Sequence, residues 1–107
     1  MAPFALSVTP WPEDRPVDPQ AVEARMQAEG LPYYRWSNGP GDIYGHHHHA
    51  YHKVIHIIAG GITFILPESR RRLSLAAGDR LALPAGTEHG AEVGPEGVVC
   101  LEAHQPV

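Results

Sequence analysis

The segment Tyr44-Gly-His-His-His-His-Ala-Tyr-His-Lys-Val-Ile-His-Ile-Ile-Ala-Gly-Gly61 carries six of the chain's eight histidines. Imidazoles at this density suit the binding of a divalent metal. An affinity tag would sit at a terminus, but this run is internal. It passes into Lys53-Val-Ile-His-Ile-Ile-Ala59, a β-branched stretch that reads as a buried strand. Side chains at i and i+2 of an extended strand share a face. His47 and His49 therefore project together, and so do His46 and His48 on the opposite face. Either pair supplies two ligands, and a third must come from a distant strand. His89 is the natural candidate: it is one of only two histidines outside the segment and follows the turn Pro84-Ala-Gly-Thr87.

Such a site needs a frame that brings remote strands together. At 107 residues the chain can bury one core but not two. Its eleven glycines and eleven prolines favour many short strands joined by turns over a helical bundle. We expect an N-terminal extension over residues 1–30 and a β-barrel over 31–107. In the extension, Phe4 to Thr9 reads as a strand. A helix follows, with Asp18 as N-cap, Pro19 in its first turn, Gly30 just past its end, and a stripe of Ala21, Ala24 and Ala28 beside Val22 and Met26. Strands are then expected at Leu31–Trp36, across the histidine run to Ala59, and at Ile62–Leu66, Arg72–Leu75, Arg80–Leu83, Glu88–Val93 and Val98–His104. The breaks include Gly60-Gly61 and Gly94-Pro-Glu-Gly97. About eight short strands point to an all-β closed or double-sheet architecture, which limits exposed edges.

The bulk numbers exclude several partners. A net charge of −4 gives no basis for binding nucleic acid, and Arg70-Arg71-Arg72 reads as a solvated hairpin tip. No segment has the length of a membrane-spanning helix, and Met1 to Val8 lacks the basic start of a secretory signal, so a cytoplasmic protein is expected. Cys100, the only cysteine, reads as a small buried hydrophobe in a reducing compartment.

The spacing of Gly41, five residues, His47-His48-His49, three residues, Lys53, six residues and Gly60 resembles the first motif of the cupin superfamily, except that Lys53 stands where that motif has glutamate. Gly78, five residues, Pro84-Ala-Gly86, two residues and His89 resembles the second motif, with Val93 in its asparagine place. More locally, the run from Trp36 through the histidines resembles a branch of small bacterial single-domain cupins. The resemblance implies a cupin double-stranded β-helix, or jelly-roll barrel, with the short helix at its N-terminus. It also implies a metal site formed by His47, His49 and His89, leaving His46 and His48 outside. The expected ion is divalent: Fe, Zn, Ni or Mn, with Cu(II) also suited to neutral imidazoles, and affinity order alone does not choose among them.

Lys53 is the only lysine in the chain. Protonated, it cannot ligate a metal. It can snorkel outward, hold an anionic substrate group beside the metal, or act as a desolvated base or Schiff-base amine. Tyr51 shares the face of His49 if the strand runs unbroken, and could offer its hydroxyl. Lys53 and Tyr51 are thus the candidate catalytic residues. Glu102 and His104 share a face of the last strand and could supply the missing carboxylate or a fourth nitrogen. His52 and His56 fall on the opposite parity, where His56 reads as a hydrogen-bonded core or interface residue.

These residues suggest a metal-dependent enzyme, dioxygenase-like or an isomerase, acting on a small molecule; the alternative is a non-catalytic ligand- or metal-binding sensor module. The apolar parity on both faces of Lys53 to Ala59, with the helix, also suggests a homodimer.

Overall fold

The computed structural model describes residues 4–107. In chain order they form β1 (Ser7–Thr9), α1 (Pro19–Ala28), β2 (Tyr33–Asn38), β3 (Ile43–His47), β4 (His52–Leu66), β5 (Arg71–Ala76), β6 (Arg80–Leu83) and β7 (His89–Gln105). β4 and β7 are longer than expected because each crosses a glycine-rich stretch without stopping. The anticipated breaks at Gly60-Gly61 and Gly94 to Gly97 are bends inside these two strands. Those two fusions, with the splitting of the histidine run into β3 and β4, give seven strands rather than about eight among the described residues.

β4 pairs antiparallel with β7 from His52 opposite Gln105 to Ile65 opposite Gly90, and the register shifts between Ile57 and Ala59 and between Gly60 and Ile62. At the bend Gly60 has φ +75°, and a Cβ there would lie 2.0 Å from the carbonyl oxygen of Gly97. No side chain fits that crossing, and left-handed φ is itself a glycine preference. The bend divides the sheet into two halves. In one, the start of β4 is flanked by β6 and β1, and the end of β7 by β2. In the other, β5 and β3 flank the remaining halves of β4 and β7. Facing each other, the halves form the expected all-β double-stranded β-helix.

The register shifts also switch which residues point inward. Ile55 and Ile57 enter the core before the bend, and Ile62, Phe64 and Leu66 after it, where they meet Leu73, Leu81 and fully buried Cys100. A second core lies outside the first half-sheet. The Asp18 carboxylate caps α1 by accepting the Gln20 N–H at 3.0 Å, Pro19 opens the helix, and Gly30 follows it with φ +73°. Val22 and Met26 are wholly buried against Val54, Ile58, Leu101 and Ala103, whereas Ala24 and Ala28 of the expected stripe are exposed. The outer apolar face of β4 is therefore covered by the chain's own helix. A polar clamp holds it there. Glu29, just beyond α1, accepts hydrogen bonds from Arg80 at 2.6 and 3.2 Å and from buried His56 Nε2 at 2.9 Å. Burial would raise the pKa of Glu29, but the bonds from Arg80 and His56 outweigh it and hold the carboxyl below its ordinary value.

Three boundaries differ from expectation. β1 covers only Ser7–Thr9, with Phe4 before it stacked on the ring of His52 at 4.2 Å. β2 begins and ends two residues later than expected. The histidine run is not one strand: β3 ends at His47 and β4 starts at His52, with an irregular link between. The exposed hairpin turn ends at Arg70, while Arg71 and Arg72, also exposed, already belong to β5.

The close crossing at Gly60 is testable against Gly41, which shares its φ of +75° but would have nothing within 4 Å of an added Cβ. Gly41→Ala is expected to cost about 1–2 kcal/mol from backbone strain alone, and Gly60→Ala about 3 kcal/mol or more. Urea unfolding reads both, and equal costs would show that the crossing does not constrain the fold.

Candidate metal centre

The two halves of the barrel enclose a cavity of about 450 Å³. His47 enters it from the end of β3, His49 from the link and His89 from the start of β7, opposite His47 in the sheet register. One nitrogen from each ring lies within 4.8 Å of the others. Bonds of about 2.1 Å to a common ion then require only small ring rotations. The turn Pro84 to Thr87 delivers His89 as expected, and the N–H of Gly86 ties that turn to the His49 carbonyl at 2.8 Å. The irregular link keeps the alternation of a strand, so His47, His49, Tyr51, Lys53 and Ile55 all reach the cavity. His46 and His48 are exposed on the outer side.

Hydrogen bonds fix the rings in the form a metal needs. His47 donates Nδ1–H to the Gly45 carbonyl at 2.7 Å, and His89 donates Nδ1–H to the Thr87 carbonyl at 2.9 Å. The lone pair of each is thus placed on Nε2. His89 is 2% exposed and its Nε2 has no hydrogen-bond partner among the described residues. His49 Nε2 accepts from Lys53 Nζ at 3.3 Å while its Nδ1 meets the Tyr51 hydroxyl at 3.1 Å. All three rings therefore present Nε2 as the acceptor, and the residues fit a divalent ion. Burial, followed by the charges of Lys53, His47 and His89, pulls the pKa of His49 down to about 4. Burial likewise lowers that of His89. Neutral imidazole is the ligating form.

Lys53 does not snorkel outward. It is 8% exposed and points into the cavity, with its ammonium 3.7 Å from Glu102 Oε2. Burial lowers its pKa, opposed by the Glu102 charge. Glu102, on β7, accepts the Tyr34 hydroxyl at 2.7 Å and His104 Nε2–H at 2.6 Å on Oε2, and the Trp36 indole at 3.0 Å on Oε1. Burial would raise its pKa, but Lys53 with the bonds from Tyr34 and His104 keeps the carboxyl below the usual range. Neither Glu102 nor His104 joins the three-histidine cluster: Glu102 is the counter-charge of Lys53, and His104 is one of its donors. Tyr51 stacks between His49 and His104, with ring centroids 4.8 and 3.9 Å away. His52 faces outward and accepts the Ala85 N–H at 3.0 Å. His56 is buried in the helix clamp.

Sequence reasoning missed Tyr34, Trp36 and Tyr44 as cavity walls. The even-numbered alternation of β2 held the signal, but the pairing of Tyr34 with Glu102 across the sheet is a matter of register, which only the fold supplies.

Two long bent strands winding together around three inward imidazoles define a double-stranded β-helix domain with a histidine cluster. Comparison with solved structures places it as a small domain of the cupin fold. It is similar to an RmlC-like cupin from Shewanella frigidimarina NCIMB 400, with TM-score 0.61, 22% identity, and 72% of this chain and 67% of that one covered. It is also similar to a DUF861 family protein from Thermotoga maritima, with TM-score 0.63 and 14% identity over 94% of this chain and 99% of that one. A third similarity is to the polyketide cyclase RemF from Streptomyces resistomycificus, at TM-score 0.62 and 22% identity over 69% of this chain but only 54% of the cyclase. No family model and no curated protein matches the sequence. No helix among the described residues is long and apolar enough to cross a membrane.

The depressed pKa of His49 has a definite sign. An unfolded histidine titrates near 6.5, but this one resists protonation until about pH 4, so between these values the unfolded chain binds more protons. Its stabilising contribution is complete above about 6.5 and is lost as pH falls towards 4, and His89 acts in the same direction. The metal-free protein is expected to melt at progressively lower temperature across this window, and His49→Gln to melt with a shallower dependence. An identical slope in the variant would show that His49 is not the group titrating.

Proposed function

We propose that the chain is a metal-dependent enzyme that acts on a small molecule in this cavity, by isomerase- or oxygenase-type chemistry. The carrying observation is the convergence of three imidazoles on one point, where the buried Nε2 of His89 has no partner among the described residues. Buried nitrogen acceptors are rarely left unpaired, and an ion shared with His47 and His49 would satisfy this one. Such an ion would supply Lewis acidity towards a substrate oxygen.

The chain's own groups perform the remaining tasks. Lys53 and Tyr51 stand beside the cluster with protons to give, as general acid–base chemistry requires. The aromatic walls Trp36, Tyr44 and Phe64 limit water around the substrate and suit a partly apolar molecule. The density of proton-bearing groups next to the imidazoles favours the isomerase class, in which a proton is moved between carbons. The all-nitrogen ligand set supports oxygenase chemistry as the second reading. That a polyketide cyclase shares the fold is consistent with catalysis in such a barrel.

Protein prepared without a histidine tag or nickel column is expected to carry about one divalent ion per chain by elemental analysis. His89→Ala should lose most of it and His48→Ala should keep it; unchanged occupancy in His89→Ala would refute the ligand set. Incorporation of solvent deuterium into a small carbonyl compound, dependent on Lys53 or Tyr51, would mark the isomerase. Oxygen uptake by the Fe(II) form would mark the oxygenase. Saturable ligand retention with neither would leave a binding module and overturn the enzyme.

A further inference from the structure

Lys53 occupies the cavity in a way that a bound metal would change. Its ammonium has three N–H donors, and its one hydrogen-bond partner among the described residues is His49 Nε2 at 3.3 Å. Glu102 Oε2 stands 3.7 Å away, an ion-pair distance beyond a full hydrogen bond, and that oxygen already accepts two short bonds from Tyr34 and His104. Glu102 thus offsets the charge of Lys53 without filling its donors. The nitrogen that does fill one of them is a member of the histidine cluster. Once His49 Nε2 turns its lone pair to an ion, a side chain only 10% exposed would keep its charge and lose its hydrogen bond beside a second positive charge. Buried donors in that state are costly, and a cation next to a cation more so.

We infer that Lys53 is the anchor for an oxyanion shared with the metal, so that the site takes a small carboxylate- or enolate-bearing molecule, one oxygen towards the histidine cluster and one towards Nζ. This inference rests on the reading of His47, His49 and His89 as metal ligands. The glutamate of the family pattern would bring a negative charge to this position, whereas Lys53 here brings a donor whose own charge is met from β7 by Glu102. Three neutral imidazoles leave the ion's charge uncompensated, and an anionic oxygen answers both it and the orphaned ammonium. Metal and anion should therefore bind cooperatively, each strengthening the other through Lys53.

Because Lys53 is the only lysine, protein grown with Nζ-labelled ¹⁵N-lysine has a single side-chain signal to follow. Zn(II)-loaded protein titrated with glycolate is expected to show a saturable shift of that signal, absent with ethylene glycol, a neutral molecule of similar size. Calorimetry should show glycolate binding about tenfold or more weaker in Lys53→Met, from loss of a charge-assisted hydrogen bond, and largely kept in Lys53→Arg. A lysine signal unmoved by saturating glycolate in Zn-loaded wild-type protein would overturn the anchor while leaving the metal site standing, whether or not Lys53→Met folds. Wild-type protein that takes up no zinc would instead remove the ligand set, and the anchor with it.

Discussion

The antiparallel pairing of β4 with β7 is the constraint on which the rest of the molecule depends. It sets Lys53 opposite His104 and Ile55 opposite Glu102, so the residues that meet in the cavity are cross-strand neighbours or lie one step along the same face. It also bends at Gly60 against Gly97, and without that bend the sheet would stay open. His89 belongs to the half of β7 before its bend and Glu102 to the half after it, and folding the two halves together brings both into one cavity. A backbone crossing too close for any side chain thus decides where the side chains with chemistry can meet.

Within that frame the charges have a consistent logic. A lysine sits on β4 and a glutamate on β7, both almost wholly buried. Buried pairs of this kind seldom stabilise a fold relative to apolar residues of the same size. Here the carboxylate is held ionised by four donors or charges from β2, β4 and β7. Cys100, on the same strand two residues earlier, belongs instead to the apolar core, and burial, with the nearby Glu102 charge, pushes its thiol pKa up to about 12.

Much of this was legible in the sequence. The pairing of His47 with His49, the bend that brings in His89, the capped helix and the buried cysteine all follow from spacings of two to four residues, which local geometry governs. The inward face survived even though the strand did not, because the link from His48 to Tyr51 keeps the alternation that strand residues would have had. What was not legible depends on partners remote in the chain. Gly60-Gly61 and Gly94 to Gly97 look like turns when each is taken alone, and only their mutual contact makes them bends in continuous strands. Lys53 looks free to reach solvent until Glu102, diagonal to it on β7, is known to lie within ion-pair distance. The apolar outer face of β4 does not say what covers it, and that α1 does so, held by Glu29 with Arg80 and His56, depends on residues remote in the chain.

His56 and Lys53, three residues apart on β4, show how one strand separates structure from chemistry. Both are buried cationic residue types beside a glutamate, and in both burial lowers the pKa. His56 faces outward into the helix clamp, where Glu29 takes its Nε2 hydrogen in a bond of 2.9 Å and also receives Arg80. Both oxygens of the Glu29 carboxylate are bonded between α1, β4 and β6 by Arg80 and His56, although His56 Nδ1 has no hydrogen-bond partner among the described residues. Lys53 faces inward, holds its glutamate at a looser distance, and spends its hydrogen bond on a member of the histidine cluster that has other use for the lone pair. The difference lies not in residue type or burial but in what each partner is free to do. The clamp's bonds join groups with no other task, whereas Lys53 bonds a nitrogen that an ion would claim.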